Sequence, residues 1–385
     1  MGLALTSWPK YMHDARNTGV AEVDVKTDGT RKWRYYIGSL AYSSPAIGLL
    51  AVYFGADDGY LYAVSQTDGS LLWRYFCGEY LRSSPAVDDT QVVYIKSDDG
   101  YLYAINSDGS LRWRYYSGRF YKSHVNIVGN TVYFSDGRYF FAIYRETGGV
   151  RWVYDAGVGF IFVGGPAVGS DGTIYVGLRH GAEGANYLAA LNSDGRLKWL
   201  YFMGYYYANI PGSSSVGPDG TIYIHDGWRY VYAVNPDGTE KWRYMLDYVY
   251  ISDREPTPPF VDAAGVYACD WGRIYRFRFD GTLLWKSDVL ILSGMAVVDA
   301  AGKVYAVISG NRLVVFDSQG TMVGLYRIGH GILGPGAVGP DGVLYLNGLD
   351  YSVHAYTLSA PLVSEHRRRQ AVNPMILLKM GGVIK

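Results

Sequence analysis

Cysteine is almost absent. The chain of 385 residues holds two, Cys77 and Cys269, far apart in sequence. That excludes a disulfide framework and any cysteine-based metal or redox motif, and leaves two buried free thiols as the expectation. An excess of charge of one sign is missing too, since 35 Lys and Arg face 35 Asp and Glu. Without a basic excess there is no broad field to displace counterions from nucleic acid or to attract an acidic membrane. No apolar run approaches the roughly 20 residues of a membrane-spanning helix, and residues 1–10 lack the apolar core of a secretory signal. The expectation is therefore no nucleic acid partner, no membrane insertion, and a cytoplasmic or virion-associated location rather than a secreted one. A sustained apolar period of about 3.6 residues is also lacking, which predicts that helix is nearly absent.

Glycine (49) and tyrosine (38) are abundant, a composition of short strands joined by tight turns. One tryptophan marks the repeat. Trp33, Trp73, Trp113, Trp152, Trp199, Trp242 and Trp285 follow Asp-Gly or Gly-Gly turns, and Gly324 fills an eighth equivalent position. The spacings of 40, 40, 39, 47, 43, 43 and 39 residues fit units of four short strands, the blades of a β-propeller. Residues 83–118 divide at their turn residues into four extended runs, A (84–87), B (92–96), C (101–106) and D (111–116). The breaks at Asp88-Asp89, Asp99-Gly100 and Asp108-Gly109 share a cause, because hairpin turns need a positive φ that Gly, Asp and Asn tolerate.

The chain ends predict how the ring closes. Trp33 lies in a lone D-like run before the first A-B-C set, and the last set, 336–358, has no D run after it. Seven complete blades and one split blade make an all-β, eight-bladed propeller of four-stranded antiparallel blades, with the N-terminal strand D completing the C-terminal blade and removing open strand edges. Residues 1–359 are read as one propeller, with a lead-in at 1–22 and a closing strand within 23–38, and residues 360–385 form a tail outside the repeats. The seven tryptophans are expected to wedge between sheets as structural residues.

The repeated Ser-Pro-Ala-[Val/Ile], [Val/Ile]-Tyr, Asp-Gly-Tyr-Leu-Tyr-Ala-[Val/Ile] and Asp-Gly-x-x-x-Trp blocks are clearest in 44–73 and 84–113. With the opening Trp8-Pro9, His13-Asp14 and Asn17-Thr18-Gly19, they make the chain resemble the quinoprotein-like (PQQ-repeat) eight-bladed propellers over about residues 8–358. That group includes quinoprotein alcohol dehydrogenases and non-catalytic scaffolds, and the resemblance is closer to the scaffolds. For the dehydrogenases it implies a central quinone, a cation held by carboxylate and amide oxygens, an Asp base and often a disulfide between adjacent cysteines. Here no cysteines are adjacent, and no Glu, Asn and Asp set maps onto such a site. The A runs, which the resemblance places at the axis, are small and neutral: Ser43-Ser44, Ser83-Ser84, Gly164-Gly165, Ser213-Ser214, Thr257, Ser293-Gly294 and Gly334.

Other catalytic patterns are missing as well. Asp253 and Glu255 flank Arg254 and read as a solvated loop or ion pair rather than a glycosidase pair. His124, His180, His225, His330 and His354 lack metal-ligand spacing and read as polar edge residues. The expectation is no enzyme, no cofactor and no metal.

Strand parity sends the B-C and D-A connections to one end of the propeller. The D-A connections are aromatic with a few cations, naming Tyr42, Tyr80, Arg82, Phe120, Tyr121, Lys122, Phe160, Phe162, Tyr205, Tyr206, Tyr207, Tyr248, Tyr250 and Arg254. The B-C side adds Trp228, Trp271 and an inserted stretch, 180–186. Tyr, Trp and Arg gathered on one face have the composition of a recognition surface. The tail joins Glu365-His366-Arg367-Arg368-Arg369 to apolar Met375-Ile376-Leu377-Leu378, which points to docking on the propeller or on a neighbouring subunit and so to homo- or hetero-oligomeric assembly. The reading is a non-catalytic binding or assembly propeller for a protein or glycan partner. The alternatives are a structural component of a virion or cell-surface particle, such as a phage tail or capsid accessory protein, and a quinone-dependent or carbohydrate-active enzyme.

Overall fold

A computed structural model describes residues 10, 12–21, 31–118, 123–205, 212–247, 258–269, 272–289, 291–308, 311–328, 330–332 and 336–357. All regular structure in them is strand, and no helix is long and apolar enough to cross a membrane. Eight four-stranded antiparallel sheets appear in the order A-B-C-D. Blades 1 to 7 span 46–76, 86–116, 126–155, 160–205, 215–245, 260–286 and 291–327. Blade 8 joins 337–356 to the N-terminal strand Arg31–Tyr36, in register Trp33 with Ala355 and Tyr35 with Val353. The expected split closure is therefore the observed one. Within the blade read first, strand A shortens to Ala86–Val87, while strand D runs over Leu111–Tyr116 as expected. Residues 22–30 of the lead-in and closing segment, and the tail from 358 on, lie outside the described residues.

The core lies between blades. Each buried apolar cluster joins neighbouring sheets; one, for example, packs Tyr53 and Leu61 of blade 1 against Val87, Ile95 and Tyr103 of blade 2. Strand D alternates accordingly, its third and fifth residues turned toward the next blade and the others toward water. Both cysteines are buried and unbridged, as expected.

Each tryptophan docks on the next blade. Trp73 Nε1 donates to Ser107 O at 2.8 Å, Trp113 Nε1 to Arg145 O at 2.8 Å, and Trp242 Nε1 to Phe279 O at 3.0 Å. Trp33, Trp152, Trp199 and Trp285 do the same to Gln66, Ser193, Pro236 and Ser318. Every acceptor is a carbonyl of the next blade's C-D turn, and the indole lies flat on that turn's glycine. At Gly109 the backbone has φ +86°, and an added Cβ would sit 2.9 Å from the Trp73 ring, so the turn conformation and the close approach both require glycine. On its other side the indole meets a tyrosine from strand B of its own blade, as with Trp113 and Tyr94 at 5.7 Å. A β-bulge just before the tryptophan recurs from blade to blade and aims the ring outward. The residue opposite is usually alanine (Ala63, Ala104, Ala142, Ala190, Ala233, Ala355), which leaves room for it.

The eighth position now has a physical reason. Gly324, on strand D of blade 7, faces blade 8, where strands C and D come from opposite ends of the chain and no C-D hairpin exists. An indole there would have no turn to bind. The ring of Tyr326 occupies the space instead, 2.7 Å from where a Gly324 Cβ would stand.

The lead-in does more than precede the ring. The A strands of blades 8, 1 and 2, and of blades 3 to 6, touch in series and so line the axis. Residues 10–21 run round the inner edges of these strands at the A-B end. Lys10 bridges Ala86 of blade 2, and Ala15 O accepts from Asn126 Nδ2 of blade 3 and Val168 N of blade 4. Arg16 O accepts from Val216 N of blade 5, Thr18 O from Val261 N of blade 6, and Ala21 N donates to Val298 O of blade 7. Inner-strand N–H groups that would otherwise be buried without partners are thereby satisfied. Asn17 is the hub: its Nδ2 donates to Ser214 O (2.8 Å) and Gly165 O (3.3 Å), its Oδ1 accepts from Lys10 Nζ, and its carbonyl accepts from Ser215 Oγ.

Three outcomes are expected. Asn17→Ala leaves several buried groups unpaired and should cost about 2–3 kcal/mol in denaturant unfolding. Burial holds the Lys10 amine down at about 7 against 10.5 in the unfolded chain, with Asp14 opposing the shift. Between those values the unfolded chain binds a proton that the folded chain does not, so stability should rise by a few kcal/mol at most from about pH 7 to pH 9, and the slope should vanish in Lys10→Met. Trp113→Phe should lose about 1 kcal/mol, the net value of one hydrogen bond, while Gly324→Trp should destabilise rather than complete the set; urea midpoints check both.

Candidate binding face

The end bearing the B-C and D-A connections is built from short straps. Between blades 1 and 2, Leu81 N donates to Ala56 O and Asp98 N to Tyr80 O, which holds the connection against the B-C turns on both sides. Leu81 points inward and is buried, so its neighbours Tyr80 and Arg82 point out, Tyr80 being 44% exposed. The Arg82 guanidinium grips Asp57 with two bonds, Nε to Oδ1 at 3.2 Å and Nη2 to Oδ2 at 3.1 Å. It also lies 4.5 Å from the Tyr80 ring centroid and 5.9 Å from that of Tyr42, which is half-buried. The pair is partly exposed and adds little stability, but it fixes the two rings and the cation as one preformed unit. Below it Asp98 is pushed up by burial, with Arg82 and Lys96 opposing. Under the next junction Lys96 meets Asp136 at 3.3 Å, both buried, and burial lowers the amine despite that partner.

Blade 4 carries the second feature. Its strands are Phe160–Val168, Ile174–His180, Ala185–Leu191 and Leu197–Tyr205, longer than their counterparts in blades 1 and 2. The extra pairs, Phe160 with His180 and Ala185 with Tyr205, lie at the B-C and D-A end. The stretch 180–186 is therefore no loop but the tip of a taller blade. On that tip Phe160 stands edge-on to His180 at 4.8 Å, Tyr187 meets Phe202 at 5.4 Å, and Phe202 meets Tyr205 at 5.0 Å. Tyr205 is 63% exposed.

Phe162 corrects the expectation. It is 1% exposed and packs against Phe140 and Tyr154: Phe160 and Phe162 share the strand face that meets blade 3, and Phe162 lies deeper along it, within the core between blades 3 and 4, while Phe160 at the strand end is only partly covered. Trp228 is half-buried in the B-C turn of blade 5, where buried Asp226 accepts bonds from the N–H groups of Trp228, Arg229 and Tyr230 through Oδ1 and so rigidifies the turn. Phe120, Tyr121, Lys122, Tyr206, Tyr207, Tyr248, Tyr250, Arg254 and Trp271 lie outside the described residues, as do Asp253, Glu255 and Thr257.

Sequence reasoning missed a repeated unit on the rim. Phe76 meets Tyr60 at 5.1 Å with the rings tilted and Arg74 over Tyr60 at 4.6 Å, and Tyr116 meets Tyr101 in the same way at 4.9 Å with Arg114 over Tyr101 at 4.7 Å. The signal was present as Trp-Arg-Tyr followed by a large side chain at 33–36, 73–76, 113–116 and 242–245. Phe76 and Tyr116 stand at the start of D-A connections read as aromatic, but their partners Tyr60, Arg74, Tyr101 and Arg114 lie on strands C and D, which were not read for this face. The histidines also differ from expectation. His124 and His225 are buried rather than at an edge, and His330 and His354 stack on one another at 3.8 Å.

Among the described residues, those at the axis do not fit the quinone site implied by the dehydrogenases. Of the hydroxyls that line the axis, those of Ser43, Ser84, Ser213 and Ser214 are spent on backbone, with Gly55 N on Ser43 Oγ, Ser44 N on Ser84 Oγ, Gly165 N on Ser213 Oγ and Ser214 Oγ on Tyr175 O. The described parts of the A strands carry no carboxylate, and residues 10–21 occupy the A-B end.

With this geometry in hand, likeness to known proteins can be placed. A family model described as outer membrane protein assembly factor BamB matches residues 57–204. BamB from Moraxella catarrhalis is similar in structure, with TM-score 0.70 and 16% identity over 86% of this chain and 100% of that one. Quinohemoprotein alcohol dehydrogenase from Comamonas testosteroni is also similar, with TM-score 0.74 and 14% identity over 93% of this chain and 81% of that one. So is the computationally designed Ika8 protein, with TM-score 0.66 and 12% identity over 88% and 100%. No curated protein matches the chain in sequence. At such identities these structures share the fold alone, and that fold serves both a scaffold and an enzyme. The chain is thus an eight-bladed β-propeller, of which residues 57–204 match a family model described as outer membrane protein assembly factor BamB.

Proposed function

We propose that the chain is a non-catalytic, protein-binding assembly propeller that engages its partner through the B-C and D-A end. The observation that carries this reading is the height of blade 4, whose additional strand pairs lift Phe160, Phe202 and Tyr205 at that end alone. Such pairs cost the entropy of ordering more chain, yet they leave aromatic surface in water, an arrangement that contributes little to folding and suits a contact surface. The Tyr42, Tyr80 and Arg82 unit at the blade 1 and 2 junction supplies preordered rings and a cation, the residue types that dominate protein interfaces. The match of residues 57–204 to a family model described as an assembly factor agrees with this reading, and so do axis hydroxyls such as those of Ser43 and Ser84 that already accept from backbone.

Affinity purification with quantitative mass spectrometry tests it, comparing the native chain with Tyr80→Ala/Tyr205→Ala. Exposed substitutions of this kind should change stability by less than about 1 kcal/mol. A protein partner should be enriched by the native chain and reduced at least tenfold by the variant. Enrichment unaffected by the substitutions, selective retention on a glycan array, or quinone-dependent dye reduction would each overturn the proposal.

A further inference from the structure

We propose that His330, Asp350 and His354 form a binding site for one divalent d-block cation at the seam of the propeller. His330 comes from the connection that enters blade 8, Asp350 from the B-C turn of that blade, and His354 from its strand C, Ser352–Tyr356. One donor atom from each lies within 4.8 Å of the others. The convergence is visible at Gly348. A Cβ added there would stand 2.4 Å from Asp350 Oδ1, 2.8 Å from His330 Nδ1 and 3.2 Å from His354 Nε2, so three ligand atoms crowd a space that only glycine leaves open.

His330 has the surroundings of a ligating histidine. His330 Nε2 lies 2.7 Å from the Tyr356 hydroxyl, which reaches Ile328 O at 3.1 Å. With Nε2–H donating to the tyrosine oxygen and the phenol O–H to the carbonyl, the relay ends on backbone and leaves the Nδ1 lone pair toward the cluster. In that tautomer Nδ1 faces Gly331 O at 3.0 Å, two acceptors together, and a cation relieves the opposition. His354 is fully buried, yet its Nδ1 has no hydrogen-bond partner, and its Nε2 is held only by Asp350 at 2.9 Å. The carboxylate is shared in a way that suits a metal. Oδ1 and Oδ2 lie 2.9 and 3.2 Å from His354 Nε2, and Oδ2 also lies 3.8 Å from Arg34 Nε, which donates to Ser352 Oγ.

The charge states agree with the geometry. Burial lowers both imidazoles, His354 to about 4, so each is neutral at pH 7 and offers a lone pair. Burial pushes Asp350 up, but the His354 hydrogen bond and nearby cationic groups outweigh it and hold the carboxyl below its ordinary range. Two imidazoles and one carboxylate select zinc, cobalt or nickel over calcium or magnesium, which demand oxygen. Asp350 is only partly covered and leaves the cation an open side at the same end of the propeller as the aromatic face.

Titration of the full chain with cobalt(II) chloride, followed by its visible d–d spectrum, tests the site. A spectrum saturating at one equivalent per chain, together with a rise in melting temperature on adding zinc(II) chloride, is expected. Asp350→Asn and His330→Gln, each verified as folded by near-ultraviolet circular dichroism, should weaken cobalt affinity at least ~10-fold. Absence of a saturable spectrum in the native chain overturns the proposal. So does undiminished affinity in both folded variants, which would place the ion elsewhere, for example at His180 and Glu183.

Discussion

Everything in this propeller hangs on an indole N–H reaching a carbonyl of the next blade's C-D turn. A four-stranded blade cannot bury both faces by itself, and its neighbour must be held at a fixed distance and angle. The tryptophan does this with a flat ring clasped between a tyrosine of its own blade and a glycine of the next, and with one directed hydrogen bond that sets the register. The alanine opposite the ring, the bulge before it and the glycine beneath it all answer that single requirement. Seven junctions follow the rule. The eighth, at Gly324, departs from it because a ring closed by the two halves of a split blade has one C-D turn too few.

Closure therefore needs other devices, and they gather near the chain ends. Residues 10–21 lie along the inner edges of blades 2 to 7 and satisfy groups that eight short strands around an axis cannot satisfy among themselves. This places a buried lysine, Lys10, and a hydrogen-bonded amide, Asn17, at the A-B end of the axis. At the outer side of the seam the paired histidines of blade 8 add a polar cluster beside the strand that closes the ring. One end of the axis is thus filled, and the opposite end of the molecule keeps exposed rings.

That asymmetry connects fold to function. The straps entering blades 1 and 2 are hydrogen-bonded to turns on both sides, and in the second Tyr80 and Arg82 are presented by the burial of Leu81 between them. Blade 4 reaches the same result by lengthening all four strands. On the proposed reading, a partner would meet a surface made this way with little further ordering.

The sequence by itself determined the number of blades, their four-strand division and the split closure, because turn chemistry and the indole repeat are local signals that survive in one dimension. It also marked the end of the molecule where aromatics collect, since strand parity needs only counting. Tertiary structure alone decided which of those rings face water. Phe160 and Phe162 sit two apart in one aromatic stretch, and only the packing of blade 3 against blade 4 buries the second. It alone brought His330 to His354 across 24 residues and showed that the glycine between them leaves room for ligand atoms. It alone showed that the lead-in turns inward, because the unpaired edges that draw it there exist only once the ring has closed.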